Sequence, residues 1–150
     1  MSHPTSRSAV DATGTTPPLA GVHHLGLTVR DVDHSERWYG DVLGMVRAFV
    51  EPHPTGGGYT VVMMRPGAAL FLGLDHHPRA DRLPFDARRT GLDHLALRVE
   101  ERGDVDAWAA HLDALDVPRE AVHENAEPAF ASVLVHDPDG VPIELFWSAA

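Results

Sequence analysis

The sequence predicts an α+β fold: two βαβββ modules in tandem, forming a curved mixed β-sheet cup with helices packed outside. Three observations carry this. The stretch "GVHHLGLTV" at residues 21–29 returns as "GLDHLALRV" at 91–99, setting Gly21 over Gly91, His24 over His94, Leu25 over Leu95, Leu27 over Leu97 and Val29 over Val99. Trp38 falls over Trp108 at the same spacing, inside two stretches of helical periodicity. Each of these is followed by three short strand-like runs bounded by Pro and Gly.

Residues 1–20, "MSHPTSRSAVDATGTTPPLA", have neither the apolar core of a signal peptide nor an Arg-rich amphipathic pattern, and read as a flexible tail. Residues 21–150 read as one domain, with a first module at 21–74, a polar linker at 75–90 and a second module at 91–147. The first helix follows from "DVDHSERWYGDVLGMV", which opens on cap-type Asp and sets Trp38, Tyr39, Val42, Leu43 and Val46 on one face. The second follows from "GDVDAWAAHLDALDV", with Val105, Trp108, Leu112 and Leu115. The strand runs are "MVRAFVE", "YTVVMM" and "AALFLGL" in the first half, and "REAVHE", "FASVLVH" and "VPIELFW" in the second. Tight turns join the last two of each set, "RPG" and "DPDG", the latter with Pro and Gly where a type I turn takes them.

Composition excludes several classes of function. A net charge of −10 opposes a nucleic-acid partner, since such binding rests on neutralising phosphates. All 12 basic residues are Arg, so no Schiff-base lysine is available, and with no Cys there is no thiol nucleophile or thiolate metal site. No apolar run approaches the ~20 residues that span a bilayer. We expect a cytoplasmic protein without a membrane partner.

The chemistry lies in the repeated histidine. Side chains alternate along a strand, so Leu25, Leu27 and Val29 point under the helix while His24, Gly26 and Thr28 point the other way. In the second copy His94, Ala96 and Arg98 share the outward face. In the last strand Ile143, Leu145 and Trp147 face the core and leave Glu144 opposite, where a carboxylate calls for a cationic neighbour. Superposing the turn glycines Gly67 and Gly140 puts Phe71 at the position of Glu144. Two imidazoles and one carboxylate, His24, His94 and Glu144, suit one divalent ion, Fe(II), Mn(II), Zn(II) or Ni(II), with positions left open for substrate.

The other histidines read differently. His34 and His111 are expected to be solvated on helices, His76 and His77 to lie in the linker, and His53 to precede a flexible "PTGGG" loop. His23 is expected to face away from His24. Both tryptophans read as core anchors.

From Gly21 to Trp147 the chain resembles the vicinal oxygen chelate superfamily, on "HHLGLTVRDV", "WYGDVLGM", "GLDHLALRV" and "DPDGVPIELFW". That superfamily includes glyoxalase I, extradiol dioxygenases, methylmalonyl-CoA epimerase and the fosfomycin and bleomycin resistance proteins. The resemblance implies paired βαβββ modules around a metal cup, with ligand positions on His24, Phe71, His94 and Glu144. Phe71 departs from the glyoxalase I pattern, which has Glu or Gln there, and leaves Glu144 as the base.

The expected function is that of a metal-dependent dioxygenase or lyase/isomerase. Its small-molecule substrate chelates the ion through neighbouring oxygens. Phe71, Phe146 and Arg98 are expected at the substrate, together with His136, which either lines the cup or faces water. A homodimer is expected, in which His24 and Glu144 of one site can come from different chains. The alternative is a metal-free binding protein of the bleomycin-resistance type.

Overall fold

The computed structural model describes residues 17–149, so most of the expected tail lies outside the described residues. The elements follow the repeat. In the first module they are β1 (Leu25–Thr28), α1 (Val32–Leu43), β2 (Val46–Pro52), β3 (Tyr59–Met64) and β4 (Phe71–His76). In the second they are β5 (Leu95–Arg98), α2 (Arg102–Ala114), β6 (His123–Ala126), β7 (Ala129–His136) and β8 (Pro142–Ser148). Each module has its own four-stranded mixed sheet, ordered β1-β4-β3-β2 and β5-β8-β7-β6. In both, the first strand runs parallel to the last and the other neighbours are antiparallel. The tandem βαβββ expectation is therefore met.

Local chemistry sets the helix ends. Asp31 caps α1 by accepting from the His34 amide at 2.9 Å. Gly44 ends it in the left-handed region at φ 63°, with the Arg65 guanidinium packed where a Cβ would stand and donating to the Leu43 and Gly44 carbonyls. Asp104 accepts from the Glu101 amide at 2.8 Å at the start of α2.

Val32, Tyr39, Val42 and Leu43 of α1, and Val105, Ala109 and Leu112 of α2, are buried. They pack in one apolar cluster with Leu27, Leu72 and Leu74 of the first sheet and Val133, Val135, Ile143 and Leu145 of the second. Trp38 and Trp108 border this cluster, as expected of anchors. Val46 and Leu115 do not continue the helix faces, because α1 stops at its glycine and α2 before Leu115, and both are exposed. The run "REAVHE" is extended only from His123, preceded by a lone bridge from Arg119 to Val135. Strand β4 takes in Asp75 and His76, which read as linker.

The modules are joined through the "DPDG" turn. The Gly140 amide donates to the Asp137 carbonyl at 3.0 Å, closing the turn. The buried Asp137 carboxylate accepts from the Asp139 and Val141 amides and, across the module boundary, from the Tyr39 hydroxyl at 2.9 Å. Arg30 grips the neighbouring Asp139 through Nε at 2.5 Å, and the Phe85 amide donates to the Asp139 carbonyl. His111, expected to be merely solvated, instead donates from Nε2 to the Val42 carbonyl at 3.0 Å and ties α2 to α1.

Candidate functional site

On the second sheet, β5 and β8 pair Ala96 with Glu144, which brings His94, one residue before β5, alongside that carboxylate. His94 Nε2 lies 3.6 Å from Glu144 Oε2. The neighbour of Glu144 is thus an imidazole, which is cationic when protonated. Its other nitrogen, Nδ1, meets Asp93 at 2.7 Å. The Asp93 hydrogen bond raises the His94 pKa above its ordinary value, partial desolvation opposes this, and the Glu144 charge adds to it. Glu144 is half-buried, with the Ser132 hydroxyl 3.4 Å away. Arg98 is exposed and 3.5 Å from Glu100, not at Glu144. Phe146 stacks on Phe130 with ring centroids 5.5 Å apart, forming an apolar patch beside Glu144. His136 is exposed at the end of β7, paired with Pro142 and on the same face as Ser132.

On the first sheet, His24 and Phe71 line a cavity of about 330 Å³ with Phe49, Glu51, Thr60 and Asp75. His23 lines it too. Its ring lies parallel to that of Phe71 at 6.0 Å, and its Nδ1 is 2.9 Å from His24 Nδ1. The expected alternation fails here because β1 begins only at Leu25, so His23 and His24 are not yet in a pleated strand.

Strand register corrects a second expectation. Gly26 pairs with Gly73, as Ala96 pairs with Glu144, so the repeat partner of Glu144 is Gly73 and not Phe71. The loops before β4 and β8 differ in length, which is why superposed turn glycines mislead. A Cβ on Gly73 would stand 2.9 Å from Thr60 Cγ2, and one on Gly26 2.9 Å from Asp75 Oδ2. The two glycines make a bare floor over which the Asp75 carboxylate leans.

His24, His94 and Glu144 sit on two separate sheets, and in one chain they are not gathered within 4.8 Å of one another. Among the described residues the group that is so gathered is His53, Asp75 and His77. Register explains it: β3 pairs Pro52 with Tyr59 on one side and Tyr59 with His76 on the other, bringing the ends of β2 and β4 together. No local pattern announces such a cluster, since His53 reads as the approach to a loop and His77 as linker.

Residues 21–145 match the Glyoxalase/Bleomycin resistance protein/Dioxygenase superfamily, and the chain belongs to it. The chain is 28% identical to the uncharacterized protein YaeR of Escherichia coli K12 over 131 residues, 85% of this chain and 96% of that one. It is 30% identical to a glyoxylase/bleomycin resistance protein/dioxygenase domain from Frankia sp. EAN1pec, with a TM-score of 0.76 over 87% of this chain and 99% of that one. The fold also matches a variant of the fosfomycin resistance protein FosX from Listeria monocytogenes complexed with Mn(II) and 1S,2S-dihydroxypropylphosphonic acid. That likeness is 17% identity and a TM-score of 0.62, over 85% of this chain and 90% of that one. No helix among the described residues is long and apolar enough to cross a membrane.

Proposed function

We propose that the protein is a divalent-metal-dependent enzyme acting on a small substrate with two neighbouring oxygens. In this reading His24, His94 and Glu144 hold the ion, with His24 given by one copy and His94 and Glu144 by a second copy in a homodimer. The His94–Glu144 pair carries the proposal: a half-buried carboxylate has an imidazole 3.6 Å away and, beyond a long contact with a hydroxyl, no other partner. The donor set fits the group, since two imidazoles and a carboxylate suit Fe(II), Mn(II), Zn(II) or Ni(II). Two observations support a dimeric site: His24 lies apart from His94 and Glu144 in one chain, and Phe49 is exposed on the face of the first sheet that carries the cavity.

When bound, such an ion supplies Lewis acidity to substrate oxygens. The chain's own residues do the rest. Asp93 orients His94 through Nδ1, leaving Nε2 free toward Glu144. Gly73, the repeat partner of Glu144, provides no fourth protein donor. Phe71 and Phe146 form apolar walls on the two faces, favouring an aromatic or aliphatic body, and Glu144 is the group placed to take a proton. Ring cleavage and lyase or isomerase chemistry both suit this arrangement. Oxygen uptake with a catechol panel under Fe(II) separates them, since a lack of uptake with every diol removes the first.

A metal-free reading has one observation in its favour. The cavity beside His24 combines Phe49 and Phe71 with the carboxylates of Glu51 and Asp75, a lining suited to an apolar cation. Elemental analysis of untagged protein decides. About one divalent ion per chain that His94→Ala removes supports the enzyme, and a metal content that His94→Ala leaves unchanged after anaerobic loading with Fe(II) and Mn(II) supports the binding protein.

A further inference from the structure

We infer that His53, Asp75 and His77 form a second divalent-cation site, built within one chain and able to take Zn(II), at the rim of the cavity that contains His24. The donor atoms of the three lie within 4.8 Å of one another, and His53 Nε2 is 3.1 Å from Asp75 Oδ1. Neighbouring ligands of a tetrahedral zinc ion with bonds of about 2.0–2.1 Å stand about 3.3 Å apart, so the His53–Asp75 spacing is already that of a ligand pair. The rings of His53 and His77 face each other obliquely, centroids 4.7 Å apart. Two imidazoles and one carboxylate disfavour Mg(II) and Ca(II), which prefer oxygen donors, and suit Zn(II) among the later divalent ions.

The site is built, not a chance meeting of surface side chains. His53 and Asp75 are each only about one-fifth exposed, at 18% and 20%. The Thr60 hydroxyl donates to Asp75 Oδ1, fixing the carboxylate as a supporting hydrogen bond fixes a metal ligand. The His53 amide donates to the Gly58 carbonyl at 2.9 Å, and a Cβ on Gly58 would stand 2.3 Å from the His76 carbonyl oxygen and 2.4 Å from His53 Nδ1. A glycine there seats the imidazole with Nε2 turned to Asp75 and Thr60. His77 is exposed and completes the set from outside, so a fourth position opens to solvent. Asp75 turns Oδ2 toward Gly26 and the cavity floor, which places the ion next to whatever occupies the cavity.

This proposal does not depend on the His24, His94 and Glu144 reading, and the test keeps them apart. Untagged His94→Ala/Glu144→Gln protein is dialysed against buffered Zn(II) and its zinc measured by elemental analysis, with circular dichroism as a check on folding. The expected result is about one Zn(II) per chain in this background, with affinity reduced by roughly tenfold or more on adding His77→Ala. His77 is exposed, so its replacement leaves the fold intact, and His53→Gln serves as the second variant. No Zn(II) in the background, or uptake unchanged by both His77→Ala and His53→Gln, overturns the proposal. Zinc lost only with His94 and Glu144 would overturn this site while sparing the other, and zinc lost only with His77 would do the reverse.

Discussion

The Tyr39 hydroxyl donates to the Asp137 carboxylate at 2.9 Å, and this one bond links the first helix to the last turn of the second module. Tyr39 is fully buried and burial pushes its pKa far above the ordinary phenol value, so it remains a donor at any working pH. Removing the hydroxyl leaves a buried carboxylate oxygen short of a partner. Tyr39→Phe should lose roughly 1–3 kcal/mol in urea unfolding. A double-mutant cycle with Asp137→Asn should show coupling of about 0.5 kcal/mol or more; purely additive losses would mean the bond contributes nothing specific.

Asp137 also predicts a pH dependence. Burial raises its pKa above the ordinary 3.8, with the amides of Val141 and Asp139 and the Tyr39 hydroxyl opposing the rise. The folded state therefore holds this proton more tightly than the unfolded one. Its contribution is fully present below the unfolded value and is lost as pH rises through the folded value. The stability of wild type minus that of Asp137→Asn should fall as pH rises from about 4 toward neutrality. A difference that rises over that window would contradict the assignment.

Arg30 and Asp139 form the second half of the same joint. Asp139 keeps only 9% of its side-chain surface, so Arg30→Ala strands a nearly buried charge whose remaining partner is the Arg30 amide. The expected loss is about 1–3 kcal/mol, larger than the usual ~0–1 kcal/mol of a surface pair. Calorimetric melting of the variant checks this.

Much of this architecture is written in the repeat. Glycine, histidine and apolar positions recur along the β1 and β5 repeats, and Trp38 and Trp108 mark the helices, so the two modules follow from periodicity alone. What failed had two long-range causes and one local cause. Phe71 was matched to Glu144 because loop lengths before β4 and β8 differ, and only strand pairing identifies Gly73. Strand alternation puts His23 on the wrong face because β1 begins only at Leu25. The His53–Asp75–His77 group depends on pairings across three strands, which no local spacing reveals.

Gly73 offers a direct check on that register. A Cβ there meets Thr60 Cγ2 at 2.9 Å, beside the bare floor shared with Gly26. Gly73→Ala should destabilise the protein by about 1–3 kcal/mol through overpacking. A neutral or stabilising change in the unfolding midpoint would mean that Thr60 and Asp75 have room to move aside.

The central claim is that His24 of one copy and His94 and Glu144 of another complete one metal site. Mixing tests it most directly. His24→Ala and Glu144→Gln chains, each unable to hold the ion, are co-expressed with different tags and the mixed dimer is isolated by two affinity steps, the tags then being removed. One of its two sites unites an intact His24 with an intact Glu144. We predict that metal, read in a background of His77→Ala, returns to about half the wild-type content in the mixed dimer. Metal absent from the mixed dimer, as from either parent, would contradict a site shared between chains.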